Sequence, residues 1–297
     1  MRDGASPREP AGIIRPARRP EGWRAPGPPP TGPVRPPGPL EDLCYLLGDW
    51  RIYQRVDGHR WSLDDLLVAA VASGVVPAPG TRTDRAAPRS VLDLGCGIGS
   101  VLLMLAWRYP QASLLGVEAQ TISVDLCRRS IALNGVSDRV EVREADLRAP
   151  TWNPEALRFP LVTGTPPYFA ERDGVVSDRP QRGPCRFELR GGIEAYFEAA
   201  QRALSPGGTF VVCEDARQRP RVEAAAARGG LTIQAVLEVV PKAGKAPLFS
   251  VFTCRSPPAR GATRGRDPRE SRLVIRDEQG QRTSDFRRLR EAMGLPH

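Results

Sequence analysis

The sequence predicts an α/β fold: a seven-stranded, mostly parallel sheet whose last strand is antiparallel, with helices on both faces. Three observations predict it. Within residues 90–100 a short apolar run ends in Asp93, breaks at three glycines two residues apart, and leads into a second apolar run from Val101. This order of strand, tight turn and helix is the first half of a βαβ unit. Strand and helix patterns then alternate regularly, and the last two strand patterns are joined by a turn at 241–244, so they pair antiparallel.

The predicted elements follow in chain order. A strand or hairpin arm covers 49–56, and a helix follows over 62–73, where Ser62 precedes two early acids. The seven strands of the sheet are predicted at 91–94, 113–118, 140–143, 161–164, 209–214, 232–240 and 248–254. The helices between them are predicted at 98–109, 121–134, 193–204 and 219–228. A strand at 272–276 and a short capped helix at 284–293 are expected to pack on the domain.

Composition divides the 297 residues into three parts. Residues 1–39 are rich in Pro, Arg and Gly with almost no apolar clustering, which predicts a disordered tail. Residues 40–256 form the predicted domain, and 257–297 a basic carboxyl-terminal extension. The formal charge of +9 comes from +4 over residues 1–39 and +5 over residues 255–297, so the rest of the chain is neutral. Basic tails attract nucleic-acid phosphates, although a general preference for arginine in this chain explains them equally well.

Cysteine and histidine usage excludes several classes of chemistry. The six cysteines are scattered without a CxxC pair, which favours reduced thiols over disulfides or a zinc site. With only two histidines, His59 and His297, we expect no metal site and no Ser/His or Cys/His catalytic pair. No apolar run reaches membrane-spanning length, and no apolar stretch at the amino terminus indicates secretion. We therefore expect a cytoplasmic protein without a membrane partner, and a monomer.

Glycines and acids gather where the carboxyl ends of the first three strands of the sheet meet. The glycines are Gly95, Gly97 and Gly99, and the acids are Asp93, Glu118 and Asp146. Glycines allow a sharp turn and the close approach of a ligand, and an acid about twenty residues later is suited to bind a ribose diol. Each acid alone is more typical of a solvated strand end, and such glycines also occur in purely structural turns. Their combination predicts a cofactor site.

At these residues the sequence resembles the Rossmann-like S-adenosylmethionine-dependent methyltransferases. The run 93–99 is similar to their first motif, and its tight Gly-x-Gly-x-Gly spacing differs from the GxGxxG of pyrophosphate dinucleotide sites. The resemblance covers residues 62–254. It implies S-adenosylmethionine as the cofactor, with Glu118 on its ribose and Asp146 beside its adenine. It also implies that Asp64 and Asp65 lie near the mouth of the cofactor site.

A second motif, Thr165-Pro166-Pro167-Tyr168, follows the fourth strand. It resembles the Asn/Asp-Pro-Pro-Tyr/Phe motif of methyltransferases that act on adenine N6, guanine N2 or a glutamine amide. The resemblance implies that residue 165 and the Pro166 carbonyl accept the two hydrogens of the amine, while Tyr168 stacks on the substrate and Phe169 adjoins it. The paired proline rings fix the backbone there. Thr165 departs from the motif because its hydroxyl is shorter than an amide, so a reduced or redirected activity, or a purely structural Pro-Pro turn, stays open.

Among these enzymes the chain is most similar to the bacterial tRNA adenine-N6 methyltransferases that modify valine tRNA. The similarity rests on residues 62–69, on the Pro-Pro-Tyr-Phe run and on an arginine-containing loop before residues 194–197. It implies that four loop residues face the substrate: Gln181, Arg182, Arg186 and Glu188. We therefore predict direct methylation of an adenine N6 in structured RNA, first of all tRNA, without a metal. Two rivals remain: an N-methyltransferase for a protein glutamine or a small molecule, and a catalytically weakened RNA- or partner-binding protein that keeps the fold.

Overall fold

The computed structural model describes residues 12–76, 86–153, 156–170, 181–258 and 267–296. Its strands are β1 (Ile13–Ile14), β2 (Glu41–Tyr45), β3 (Arg51–Arg55), β4 (Ser90–Leu94), β5 (Ser113–Glu118), β6 (Val140–Glu144), β7 (Phe159–Gly164), β8 (Leu204–Asp215), β9 (Thr232–Val240), β10 (Phe249–Arg255) and β11 (Arg269–Val274). Its α-helices are α1 (Leu63–Ala72), α2 (Ser100–Arg108), α3 (Thr121–Leu133), α4 (Arg182–Arg186), α5 (Ile193–Ala203), α6 (Arg219–Arg228) and α7 (Ser284–Ala292). Two short 3-10 helices cover Pro150–Trp152 and Ala216–Gln218.

Eight strands form the central sheet, in the spatial order β11-β9-β10-β8-β7-β4-β5-β6. The five strands from β6 to β8 are parallel, whereas β10 is antiparallel to both β8 and β9. The predicted mostly parallel sheet and its antiparallel strand are therefore confirmed. Because β4, β5, β6 and β7 are parallel, their carboxyl ends lie at one edge of the sheet, which is where ligands bind in such folds.

The sheet has one strand more than the predicted seven. β11 pairs in parallel with β9, with Leu273 opposite Val239. The sequence predicts a strand at 272–276 that packs on the domain, and the structure adds this strand, at 269–274, to the edge of the sheet itself. The pairing covers backbone groups that β9 would otherwise expose at a sheet edge, and it buries Leu273.

Alternating side chains along the strands build a separate core on each face of the sheet. The helices α1, α2, α3 and α7 cover one face, and α5 and α6 cover the other. Within β8, Val211 and Cys213 belong to the first core and Phe210 and Val212 to the second. The predicted helices on both faces are thus confirmed. Within the described segments, none of the helices combines the length and the apolar character that crossing a membrane requires.

A small sheet of β1, β2 and β3 packs beside α3. The Tyr53 N–H donates to Ser130 Oγ (3.0 Å), and the Arg51 N–H donates to Asn134 Oδ1 (3.0 Å). The hairpin of β2 and β3 contains the strand predicted at 49–56. These bonds attach the hairpin to the helix that follows β5, so the hairpin lies beside the same half of the sheet.

The amino-terminal segment, for which the composition predicts a disordered tail, makes contacts with the domain. Residues 12–39 run along the domain, although residues 1–11 lie outside the described part of the chain. Arg15 forms an ion pair with buried Asp42 (2.8 Å), and the Gly32 N–H donates to the Leu133 carbonyl (3.0 Å). The segment has no core of its own. It is held by partners from the domain, which the composition of the segment alone does not reveal.

Candidate active site

A glycine turn connects β4 to α2 at the carboxyl edge of the sheet. Gly95, Gly97 and Gly99 have positive φ angles of 60°, 55° and 86°, a conformation that is costly for residues with a Cβ atom. A Cβ atom on Gly95 would lie 2.1 Å from Tyr196 Oη, and one on Gly99 would lie 2.5 Å from Cys127 Sγ. On Gly97 a Cβ atom would meet no atom closer than 3.9 Å. The turn is therefore packed at its two ends and open at Gly97, where a ligand can approach the backbone.

Glu118, the last residue of β5, braces this turn. Its Oε2 accepts the Gly97 N–H (3.0 Å), and its Oε1 accepts the Gln120 N–H (2.7 Å). Burial raises the pKa of the Glu118 carboxyl, although the backbone N–H groups of Gln120 and Gly97 oppose that shift. Each carboxylate oxygen has capacity for a further hydrogen bond. Glu118 can thus hold the turn and a ligand hydroxyl group at the same time.

Two further buried acids lie behind the turn. Asp93 Oδ1 accepts the Thr163 hydroxyl (2.7 Å), while its Oδ2 has no partner in the described structure, and burial raises the pKa of Asp93 to about 7. Asp65 accepts the Ser62 N–H (2.9 Å) in a capping box at the start of α1. Burial, together with the neighbouring Asp64, raises the pKa of Asp65 to about 8. Asp65 lines the cleft, whereas Asp93 lies beneath it.

Asp146 lies beyond the end of β6, on the wall next to Glu118. It accepts the Arg148 N–H (2.9 Å) and the Arg148 guanidinium (2.6 Å). The hydrogen bond from the Arg148 side chain holds the pKa of Asp146 below its usual range. Asp146 is therefore an ionised, partly exposed carboxylate, in contrast to buried Glu118.

One cleft opens at the carboxyl edge of the sheet, beside the glycine turn and Glu118. The glycine turn, the ends of β5 and β6, the start of α1 and the segment after β7 all contribute to its walls. The lining residues that the sequence predicted are Asp65, Gly95, Gly97, Glu118, Asp146, Thr165 and Pro167. Within the described segments no group of three or more His, Cys, Asp or Glu side chains is arranged to hold a metal ion. The structure thus brings five of the seven predicted cofactor residues and the start of the second motif to the same cavity, whereas Asp93 and Gly99 do not line it.

The second motif begins directly after β7. Thr165 and Pro167 line the cleft, and the Thr165 hydroxyl makes no hydrogen bond to the described residues. Pro166 is buried. Tyr168 Oη lies 3.2 Å from Asp64 Oδ2 and 3.1 Å from Cys213 Sγ, and burial raises its pKa well above the usual range. The Tyr168 hydroxyl is therefore a neutral anchor directed at α1 and β8.

Phe169 joins this motif to the segment that contains α4. The Phe169 N–H donates to the Arg186 carbonyl (3.1 Å), and the Phe169 carbonyl accepts the Glu188 N–H (2.9 Å). The exposed Arg186 places its guanidinium 5.6 Å from the centre of the Phe169 ring. Phe187 packs on the same ring at 6.0 Å. Phe169 and the exposed Arg186 thus lie together beside the second motif, on what we call the acceptor side of the cleft.

The other loop residues predicted to face a substrate are placed differently. Gln181 is predicted to face a substrate; its side chain is buried, and its Nε2 donates to Ser123 Oγ (2.8 Å) on α3. Glu188 forms an ion pair with Arg221 of α6 (2.6 Å). Arg182 begins α4, and its side chain lies outside the described part of the structure. The partners of Gln181 and Glu188 are distant in the chain, so the sequence of the loop does not reveal these contacts.

Several cleft residues were not singled out in the sequence. His59 and Cys185 line the cleft together with Arg190. Burial alone lowers the pKa of His59, but a hydrogen bond with Cys185 and the carboxylates of Asp64 and Glu118 raise it overall. The signal available for His59 was its rarity, since it is one of two histidines in the chain. Arg190 had no distinguishing signal among so many arginines.

Comparisons with known proteins find methyltransferases that are similar to this chain. A family model described as "Methyltransferase small domain" matches residues 81–224. The chain is 27% identical over 205 residues to the tRNA1(Val) (adenine(37)-N6)-methyltransferase of Vibrio cholerae. The alignment covers 67% of this chain and 80% of that protein. The chain is also 30% identical over 173 residues to the release factor glutamine methyltransferase of Xylella fastidiosa. That alignment covers 51% of this chain and 58% of that protein.

Solved structures also match the chain. The crystal structure of a protein described as a predicted O-methyltransferase from Agrobacterium tumefaciens aligns with a TM-score of 0.55 and 20% identity. The alignment covers 79% of this chain and 98% of that chain. At 20% identity this structural match supports the fold alone. Together the comparisons confirm the predicted fold and the resemblance stated from the sequence.

Proposed function

We propose that this chain, a Rossmann-like methyltransferase that uses S-adenosylmethionine, transfers a methyl group to the N6 atom of an adenine in structured RNA. One observation carries the proposal: Glu118 and the open face of Gly97 share a single cleft with Thr165 and Pro167. A methyl donor and an exocyclic amine held in that cleft would be close enough to react. The Vibrio cholerae relative, which is named for a tRNA adenine N6, makes tRNA the first substrate to test.

The cleft residues fit S-adenosylmethionine. When bound, this cofactor supplies an electrophilic methyl group on a sulfonium. The acidic side chains of Asp65, Glu118 and Asp146 line the cleft, and the sulfonium and ammonium cations of the ligand would favour their ionised forms. We assign the ribose to Glu118, whose oxygens each keep capacity for a hydroxyl, and the adenine side to Asp146. Asp65 belongs to the mouth of the cleft, and Asp93 supports the turn from beneath.

The acceptor side follows from the second motif. The Thr165 hydroxyl makes no bond to the described residues, so it can accept one hydrogen of a substrate amine. The backbone carbonyl of Pro166 is assigned the second hydrogen, since the proline rings restrict the movement of that segment. The two bonds would orient the nitrogen lone pair towards the cofactor and stabilise the charge that develops on the nitrogen. Tyr168, held by its hydroxyl, keeps the motif fixed to α1 and β8 and is assigned to stack on the base.

RNA contacts are assigned to the exposed edge of the acceptor side. Phe169 offers a ring next to the motif, and the Arg186 guanidinium beside that ring can bind a phosphate. Gln181 has no part in this contact because it is buried. All six cysteines are free thiols, which suits a reducing compartment such as the cytoplasm.

A protein glutamine is the second candidate acceptor, favoured by the Xylella fastidiosa relative, which is named for that substrate. Its amide nitrogen is planar, like adenine N6, and would be held by the same two oxygens. The two acceptors differ in size and charge, because RNA brings phosphates and a protein does not. The globular part of the chain is neutral, so the fold itself does not discriminate between them.

Methyl transfer to fractionated acceptors tests the proposal. Purified protein is incubated with S-adenosylmethionine labelled in the methyl group and, separately, with total tRNA, rRNA, DNA and protein, followed by analysis of the labelled product. We expect N6-methyladenosine in the tRNA fraction. Label in glutamine of the protein fraction would replace RNA with the second candidate. If the parent protein binds the cofactor but labels none of the fractions, and Thr165→Asn gains methyl transfer, the protein is catalytically weakened.

A further inference from the structure

The only two lysines of the chain lie on one exposed turn, although the chain has 43 lysines and arginines in total. Lys242 and Lys245 lie between β9 and β10, and both are exposed. The Lys245 N–H donates to the Lys242 carbonyl (3.0 Å), which closes the turn between them. Because β9 is antiparallel to β10, and β10 to β8, this turn projects from the carboxyl edge of the sheet, the edge that holds the cleft.

Two arginines from the carboxyl-terminal extension adjoin the lysines. The Ala243 N–H donates to the Arg276 carbonyl (2.8 Å), which places the segment after β11 against the turn. Arg276 in turn pairs with Arg282 in an antiparallel bridge. We call Lys242, Lys245, Arg276 and Arg282 the basic turn surface. It exists only because β11 joins the sheet, so the extension and the domain build it together.

The four cations of the basic turn surface differ from many other basic residues of the chain. Nearby arginines have acid partners: Arg272 pairs with Glu238 (2.7 Å) and Arg219 with Glu270 (2.7 Å). None of the four forms an ion pair with a carboxylate in the described segments. The acids on the adjoining turn are Asp277, which accepts the Gln281 N–H, and Glu278. Four cations against two acids leave this surface with a net positive charge, while residues 40–254, which include both lysines, carry no net charge.

The distance from the cleft suits one extended ligand. Neighbouring strands are about 4.8 Å apart, so the end of β9 lies about 14 Å from the end of β7 along the sheet edge, and the end of β11 about 19 Å. A base held at Thr165 therefore leaves room for several phosphates of the same molecule to reach the turn. A glutamine side chain on its own would not span that length.

We infer that the basic turn surface binds the phosphate backbone of the RNA whose base enters the cleft. The inference rests on the proposed function for the identity of the ligand, but the surface itself is tested by binding. Lysine ammonium groups on an exposed turn act as point charges for phosphates without reading sequence. The surface would hold the body of a structured RNA while Thr165–Tyr168 receives one unpaired base.

The rarity of lysine allows this surface to be measured in the unaltered protein. Acetylation by an amine-selective reagent, read by mass spectrometry, reports Lys242, Lys245 and the amino terminus alone. We expect total tRNA to lower acetylation of both lysines several-fold relative to the amino terminus. Undiminished acetylation at a tRNA concentration that saturates binding would overturn the inference. The inference would also be overturned if an acidic polypeptide or anionic vesicles protected the lysines and tRNA did not.

Charge-reversal variants give the second measurement. For Lys242→Glu/Lys245→Glu, we expect tRNA binding weaker by about 10- to 30-fold at 0.15 M salt, and a shallower salt dependence, because two phosphate contacts are lost. The matched control is Arg89→Glu/Arg128→Glu, which makes the same charge change at two exposed residues before β4 and on α3. Lys242→Arg/Lys245→Arg keeps the charge and should retain binding. All three should bind S-adenosylmethionine like the parent protein, which verifies folding.

The outcomes separate this inference from the proposed function. Equal weakening in both charge-reversal pairs would indicate general attraction and would overturn the surface. If the parent protein methylates tRNA and Lys242→Glu/Lys245→Glu binds tRNA as tightly as the parent, the proposed function stands and the RNA-binding role of the basic turn surface is refuted. If tRNA protects the lysines from acetylation but the methyl label is found only in protein, RNA binding by this surface is supported and RNA as the methyl acceptor is refuted.

Discussion

The two halves of the cleft are held in place in different ways. The cofactor half comprises the glycine turn, Glu118 and Asp146, and its hydrogen bonds join residues within about twenty positions along the chain. The acceptor half comprises residues 165–169 and 181–192, and its anchors come from distant elements. Tyr168 reaches Asp64 and Cys213, 104 and 45 positions away. A local site can be recognised as a motif, whereas a site built from distant partners depends on the whole fold.

The largest effect is expected where the cofactor half is broken at Glu118. Glu118→Ala removes a carboxylate that braces Gly97 and is assigned to the ribose. Two hydrogen bonds to a charged group are worth about 3 kcal/mol or more, so affinity for S-adenosylmethionine should fall by at least about 100-fold. Titration calorimetry measures it. The control is Glu141→Ala, which removes an exposed acid on β6 that pairs with Arg143; cofactor affinity in Glu118→Ala equal to that of this control would refute the assigned role.

The next effect tests the acceptor half at Thr165. Thr165→Ala removes the hydroxyl assigned to the substrate amine, and an acceptor that acts on developing charge is worth about 1.4–2.7 kcal/mol. We expect turnover to fall by about 10- to 100-fold, with cofactor affinity unchanged, in steady-state methyl transfer to tRNA. Thr165→Ser keeps a hydroxyl and should stay within a few-fold of the parent. Equal turnover in Thr165→Ala and Thr165→Ser would show that this hydroxyl takes no part.

The contrast between the halves also explains what the sequence could predict. The glycine turn was visible because positive φ angles at Gly95 and Gly97 require glycine, and Glu118 because it ends a strand at a fixed spacing. The contact of Gln181 with Ser123 cannot be predicted from the loop, because this partner lies 58 residues away on another helix. The eighth strand was expected as a separate element, since nothing in its own sequence specifies β9 as the neighbour.

The support of the acceptor half can be weakened at Arg221 without touching the cleft. Arg221 pairs with Glu188 (2.6 Å) and Glu194 (2.5 Å), and so attaches the segment that contains Arg190 to α6. Arg221→Ala leaves both acids without that partner and should lower the free energy of unfolding by about 1–2 kcal/mol. Cofactor affinity should fall several-fold, because Arg190 lines the cleft. Urea denaturation and calorimetry measure the two effects.

The neighbouring arginine on the same helix is the control for Arg221. Arg219 pairs with the exposed acids Glu223 and Glu270, and exposed pairs contribute less than about 1 kcal/mol. Arg219→Ala should therefore be nearly neutral in stability and in cofactor affinity. If the two variants behaved alike, the long-range anchoring of the acceptor half by Arg221 would lose its support.

The smallest effect concerns Glu214, at the end of β8 beside the Arg221 pairs. Its side chain is fully buried, Oε1 accepts the Asp215 N–H (2.8 Å), and Oε2 has no partner in the described structure. Burial raises the pKa of Glu214 to about 8. The folded state therefore holds this proton more tightly than the unfolded chain does. The stability that Glu214 contributes is full below pH 4.5, falls as pH rises, and is lost above about pH 8.

Glu214→Gln mimics the protonated acid and cannot ionise, so it should lack this fall in stability. We expect its melting temperature to approach that of the parent near pH 5 and to exceed it increasingly as the pH rises to 8. Glu223→Gln, at an exposed position on α6, should show no such divergence. Parallel pH profiles for Glu214→Gln and the parent would mean that Glu214 is already ionised in the folded protein. The end of β8 would then contain a buried charge stabilised by Arg221, and loss of Arg221 would cost more stability than the ion pairs of Glu188 and Glu194 alone predict.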